Sequence, residues 1–226
     1  MYLALLFIAV VVIYGPSLWI RWVMYQHGKP IDSMPGNGDE LARHLIQRFQ
    51  LTGTQVEEGG RDVNHFDPTD NMVRLSPEIF AGKSLTAVAV AAHEVGHAIQ
   101  YARREKLIHW RSKLLPKIMV LEKISVAFLM LIPVAGAATR LPMVMIIMAL
   151  LLFVFMFTRI FFHLSTLPVE WDASFNKALP ILVEGQYLPE DQLPAVRQVL
   201  KAAALTYVAA ALADLLSFWR WIRFLR

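Results

Sequence analysis

His93-Glu94-Val95-Gly96-His97 sets two imidazoles and a carboxylate within five residues. On a helix, residues four apart share a face one turn apart, so His93 and His97 can hold a common metal ion. Glu94 then points into the same cleft, where it can hold and deprotonate a water. This is the H-E-x-x-H arrangement of hydrolytic zinc sites. Alone, the motif also occurs on solvated helices. Here the flanks, Ser84-Leu-Thr-Ala-Val-Ala-Val-Ala-Ala and Ala98-Ile99-Gln100-Tyr101-Ala102, are mostly apolar. Two imidazoles and a carboxylate buried in such a helix need a partner, and a divalent cation is one. Gly96 forgoes about 1 kcal/mol of helix propensity against alanine. Its presence predicts that a ligand or a neighbouring backbone comes close at that point.

A catalytic zinc site takes three protein ligands and keeps an open position. The chain has no cysteine, so those ligands must be histidine or carboxylate, and a disulfide framework is excluded. A metzincin continuation would put glycine at position 100 and histidine at 103, where this chain has Gln100 and Arg103. The remaining candidates are His109, Glu122, His163, Glu170, Asp172, Glu184 and the later acids. The segment Thr166-Leu-Pro-Val-Glu170-Trp-Asp172-Ala173-Ser174 stands out among them. Pro168 suits the first turn of a new helix, which would place Glu170 near the helix start and on the side of Ala173 and Ser174. His163 competes, but it lies in an apolar run and reads rather as a buried or interfacial histidine.

The elements that must carry these residues read as membrane helices. Of 226 residues, 56% are hydrophobic and only 18% charged, against about 25% charged in a soluble domain. Mean hydropathy is +0.46. Residues 1–20 hold no charge and no A-x-A-like cleavage site, which predicts an uncleaved anchor collared by Arg21, Trp22 and Tyr25. Two further uncharged runs, 124–139 and 141–158, flank a turn at Arg140 and Pro142 and predict a helical hairpin, with Lys117 and Lys123 snorkelling at its base. A fourth run, 202–219, is interrupted by Asp214 and is a weaker span. Two crossings between His97 and Glu170 return the chain to its starting side, so the histidines and Glu170 can face one compartment. Arg103, Arg104, Lys106, Arg111, Lys113 and Lys117 precede the hairpin, whereas its tip has only Arg140; the positive-inside rule puts the site in the cytoplasm. The basic tail, Arg220 to Arg226, fits that orientation only if the last helix does not fully cross. No basic stripe interleaved with aromatics suggests nucleic acid.

Between anchor and motif, 28–38 is a Gly/Pro/Asn/Asp-rich linker and 39–49 is an amphipathic helix with Leu41, Leu45, Ile46 and Phe49 on one face. Asp67-Pro68-Thr69-Asp70-Asn71 is a turn, and Met72 to Ser76 a short strand, so 54–76 predicts a hairpin or small sheet. A free strand edge beside the motif helix could take an extended peptide by strand addition. His65 reads either as a turn-stabilising surface residue or as part of that face.

In combination, His65-Phe-Asp-Pro, Val73-Arg-Leu-Ser76, Ala87 through Gln100, Leu167-Pro-Val-Glu170 and Ala202 through Ala210 resemble the YugP-like bacterial membrane zinc metallopeptidases over almost the whole chain. The resemblance implies a zinc peptidase of a bacterial inner membrane. More distantly the chain is similar to the HtpX and prenyl-protease group, whose third ligand is the Glu of an E-x-x-A-D motif; here Glu170 matches it, and Ser174 stands where the final Asp would be. Ser174 or Asp172 is then expected to hydrogen-bond a ligand histidine and fix its tautomer.

These readings give a mainly α, integral membrane protein with three to four transmembrane helices and a small sheet on the cytoplasmic side. It divides into an anchor (1–26), a soluble part (27–116), a transmembrane hairpin (117–160) and a third-ligand and C-terminal part (161–226). One zinc per chain on His93, His97 and Glu170, with Glu94 as general base, would hydrolyse peptides or membrane proteins. Tyr207 and Arg159 are the candidates for stabilising the oxyanion. The alternative is a zinc-binding membrane scaffold without proteolytic activity, which would have no use for Glu94; a metal-dependent hydrolase of non-peptide amides is a second rival.

Overall fold

The computed structural model describes residues 2–139 and 142–214, with side chains described for most positions from Val11 onward. The chain is mainly helical. Helix α1 runs from Tyr2 to Gln26 and carries Pro16. Helix α2, Gly38–Arg48, starts at a capping box: Asn37 Oδ1 accepts from the Glu40 N–H and the Glu40 carboxylate accepts from the Asn37 N–H, both at 2.9 Å. The two bonds satisfy donors that the first helical turn leaves open. Its apolar face buries Leu41, Ala42 and Leu45 against the motif helix.

Three short strands follow, β1 (Gln55–Glu58), β2 (His65–Asp67) and β3 (Met72–Leu75). β2 and β3 form the expected hairpin across the Asp67-to-Asn71 turn, in which Asp67 accepts the Thr69 N–H at 2.9 Å. β1 joins β3 in parallel from the other side, in the order β1-β3-β2. The 54–58 segment has too little alternation to announce such a pairing. Arg74 ties the sheet together through Glu57, Asp67 and Asp70. β2 is left as an edge strand.

After a single turn, α3 (Pro77–Phe80), comes α4, Leu85–Ala102, capped by Ser84, whose Oγ accepts the Ala87 N–H at 3.1 Å. Every residue from Leu85 to Gln100 is buried, under α2 and two later segments, Asp172–Ala178 and Leu193–Ala204. Small side chains at Ala87, Ala89, Ala91 and Ala92 let these neighbours approach on all sides. The motif is therefore at the centre of the core.

Helices α5 (Lys106–Thr139) and α6 (Pro142–Trp171) pack along each other. They turn Met130, Val134, Ile146, Leu150, Val154 and Phe161 outward. The expected boundaries at 116/117 and 160/161 fall inside these helices. The turn at Arg140 and the basic tail at Arg220, Arg223 and Arg226 lie outside the described residues. Among the described residues one helical stretch, Glu190–Asp214, is long and apolar enough to cross a bilayer.

One expectation needs correcting. Pro168 does not start a new helix; it lies inside α6, which continues to Trp171. Proline lacks the N–H that would bond the carbonyl four residues back. In the preceding turn the Ser165 and Thr166 hydroxyls bond the Phe161 and His163 carbonyls, and just beyond it the ladder widens into a π-helical segment, Asp172–Ala178. Helix α7 (Leu179–Glu184), a 3-10 turn (Glu190–Gln192) and α8 (Leu193–Ala204) complete the described chain, with a helical continuation over 206–214.

Candidate metal centre

His93 and His97 project from α4 at a spacing of one turn, with ring centroids 4.7 Å apart. Glu170, at the end of α6, reaches both: its Oε2 lies 3.2 Å from His93 Nε2 and 3.3 Å from His97 Nε2. All three side chains are buried. Gly96 makes this approach possible. A Cβ at position 96 would come 2.9 Å from the Ala173 carbonyl, so the π-helical segment rests directly on the backbone of α4.

The far nitrogen of each imidazole is fixed. Ser174 Oγ donates to the Leu200 carbonyl at 3.0 Å and so accepts from His93 Nδ1–H at 2.9 Å. Gln100 Nε2 donates to the Val169 carbonyl (2.9 Å) and to Asp172 Oδ2 (2.7 Å), which leaves its Oε1 to accept from His97 Nδ1–H at 2.9 Å. Asp172 is in turn held by Lys177 and Asn176. With Nδ1 the hydrogen-bonded donor in both rings, His93 and His97 direct their two Nε2 atoms at one carboxylate oxygen.

Three acceptors facing one point can be satisfied by a proton on each Nε2 or by one divalent cation. The protons would make two buried imidazolium ions beside the partly buried cation Arg111, at a heavy desolvation cost. A cation requires neutral imidazoles and a carboxylate, a set that two Nδ1-protonated rings and Glu170 can supply. The spacing agrees too. Zinc bonds of roughly 2.0–2.1 Å arranged tetrahedrally set neighbouring donor atoms about 3.3 Å apart. The residues fit a zinc ion, and among the described residues this trio is the one group of three donors close enough to hold a metal.

Glu94 is buried beside the trio. Burial pushes its carboxyl up to about 7, against the opposing influence of His93. The Phe66 backbone N–H on β2 also favours its charged form. Glu170 keeps its charge: burial opposes ionisation, but His97 and Arg111 outweigh it and hold the carboxyl well below the usual range. The four residues line a cavity of about 1150 Å³. Its wall runs from the edge of β2 (Asn64 to Asp67) to apolar residues of α1, α5 and the chain beyond α8, among them Ile20, Met24, Leu115 and Ala210.

A family model described as "putative neutral zinc metallopeptidase" matches residues 2–226. The chain belongs to that family. It is also 31% identical over 213 residues to "Putative membrane protease YugP" of Bacillus subtilis (strain 168), an alignment covering 92% of this chain and 91% of that one. No solved structure matches the chain.

Against this zinc-metallopeptidase family background, the structure sorts the residues singled out from sequence. It brings His93, Glu94, His97 and Glu170 together, puts Ser174 on His93 and puts Asp172 behind Gln100. Tyr207 lines the cavity. Arg159 does not; it pairs with Asp214 at 2.8 Å. His163 lines the cavity but lies 3.3 Å from the same Asp214 and outside the donor trio. His65 also lines the cavity, with its protonation disfavoured by burial and by Arg74. Sequence reading passed over two residues. Gln100 appeared as a flank residue and as a departure from another motif but not as a partner of His97, although its position three after His97 already placed it on the same helix face. Arg111 counted only as a basic flank, yet it is partly buried, ion-paired to Glu170 Oε1 at 2.9 Å and donating to the Tyr207 hydroxyl at 2.6 Å. Its role depends on where α5 crosses α4, which no local pattern encodes.

Proposed function

We propose that this chain is a membrane-embedded zinc metalloendopeptidase with one zinc on His93, His97 and Glu170. The convergence of three buried donors on one point beside a buried Glu94 carries this reading. Zinc held there supplies Lewis acidity toward a carbonyl and brings the pKa of water toward ~7. Glu94 takes a proton from the attacking water and hands it to the leaving amine. Ser174 and Gln100 keep both imidazoles in the tautomer that faces the centre. Tyr207 is the donor aimed at the carbonyl oxygen.

The free edge of β2 gives a peptide a place to pair as an added strand. The opposite wall is apolar and continues onto α1 and α5, which suits substrates at or in the bilayer. The outward apolar side chains of α5 and α6, among them Met130, Val134, Ile146, Leu150, Val154 and Phe161, are exposed apolar groups that suit a lipid surface. Together with the basic residues before the hairpin, they support a multi-pass inner-membrane protein whose centre faces the cytoplasm.

The test is the zinc content of the detergent-purified protein beside its Glu170→Ala variant, with hydrolysis of an unfolded protein measured with and without 1,10-phenanthroline. One zinc per chain, lost with Glu170→Ala, and chelator-sensitive cleavage are expected. Zinc without cleavage would instead favour a structural role for the metal.

A further inference from the structure

We infer that Arg111 is a positioning residue that sets both the third ligand and the oxyanion donor of this centre, an inference that rests on the zinc-peptidase reading above. Arg111 comes from α5, whereas the trio comes from α4 and α6. Its side chain is 16% exposed, and a guanidinium so buried must be paired. It is paired on two sides. Nη1 ion-pairs with Glu170 Oε1 at 2.9 Å and Nη2 donates to the Tyr207 hydroxyl at 2.6 Å, with the guanidinium carbon 5.1 Å from the centre of the Tyr207 ring. The guanidinium is a rigid planar fork, so the directed bond to Tyr207 also fixes where its charge lies against Glu170 Oε1.

Each contact has a chemical consequence. With Oε1 facing Arg111, the carboxylate of Glu170 offers Oε2 alone to the two Nε2 atoms. Arg111 thereby leaves Oε2 as the Glu170 oxygen that would hold a metal together with the two imidazoles. At Tyr207, arginine is a donor only. The phenol oxygen therefore accepts from Arg111, and its own proton is directed elsewhere. Tyr207 lines the cavity with His93, Glu94 and Glu170, so that proton is free to meet a substrate carbonyl oxygen as it becomes negative. The Arg111 charge 2.6 Å away strengthens the phenol as a donor. A lysine could neutralise Glu170 but could not hold both groups in one plane.

The experiment compares wild type, Arg111→Lys, Tyr207→Phe and the double variant in three readouts. These are Zn2+ affinity by competitive titration, the visible absorption of the Co2+-loaded protein, and kcat and KM on an internally quenched peptide. Tyr207→Phe is expected to keep the Zn2+ affinity and the Co2+ spectrum while kcat falls ~100-fold or more with KM little changed. Arg111→Lys is expected to weaken Zn2+ binding by ~10- to 100-fold and to shift the Co2+ bands, because Glu170 is released. Its kcat should fall about as far as that of Tyr207→Phe, and the double variant should be no slower than Arg111→Lys. An Arg111→Lys protein with the wild-type Co2+ spectrum and kcat overturns the inference, as do fully additive losses in the double variant. If the wild type itself neither binds Zn2+ nor cleaves, the zinc-peptidase reading fails first and the inference falls with it.

Discussion

Ser174 and Gln100 decide which nitrogen of each motif histidine carries the proton, and so which nitrogen faces the centre. Without Ser174, His93 can turn or change tautomer at little cost. Ser174→Ala is therefore expected to weaken Zn2+ binding by roughly 10- to 100-fold, and Gln100→Leu to do the same through His97; equilibrium titration of the detergent-purified variants checks both. Glu94→Gln separates binding from chemistry. It should retain full zinc while cleavage falls by ~100-fold or more, and persistent cleavage would remove Glu94 from the role of base. The spacing of His93 and His97 makes the pair readable from the chain alone. The residues behind it are only half readable. Ser174 and Asp172 follow Glu170 closely enough to be suspected, but that Asp172 acts through Gln100 depends on the depth at which α6 meets α4.

Gly96 and the π-helical segment show how two elements set one site. The Ala173 carbonyl would lie 2.9 Å from a Cβ at position 96. Alanine there gains about 1 kcal/mol of helix propensity but must push the segment away, at a cost of roughly 1–3 kcal/mol. Gly96→Ala is expected to lower both thermal stability and zinc content; a gain in stability would mean that the two backbones have room to spare. In the sheet, burial disfavours the Asp67 charge, but the Thr69 N–H and Arg74 outweigh it and hold the carboxyl below its ordinary value of 3.8. A depressed carboxyl stabilises the fold above that value and loses its contribution as pH falls through the depressed one. Asp67→Asn should thus flatten part of the acid limb of a stability-versus-pH curve measured by thermal unfolding. Helix α2 was legible because apolar periodicity is a local signal, and α4 because its apolar flanks and the four-residue histidine spacing are. The uninterrupted passage of α6 through Pro168 was not, because tertiary packing overrides a helix breaker here, and the parallel pairing of β1 with β3 was not, because its register is set by the hairpin between them.

For the molecule as a whole, the absence of cysteine from all 226 residues makes sidedness directly measurable. Single cysteines at the exposed positions Arg61 and Glu190 are expected to react with a membrane-impermeant maleimide only after cells are opened. Labelling of either in intact cells would reverse the proposed orientation. The distribution of the donors along the chain has a further consequence. His93 and Glu170 are 77 residues apart, with α5 and most of α6 between them. A ribosome releasing this chain exposes the histidines long before the carboxylate that completes the trio. Until the paired helices have folded back, the growing chain holds two of the three donors, and the metal-binding capacity of the trio waits on the folding of α5 and α6.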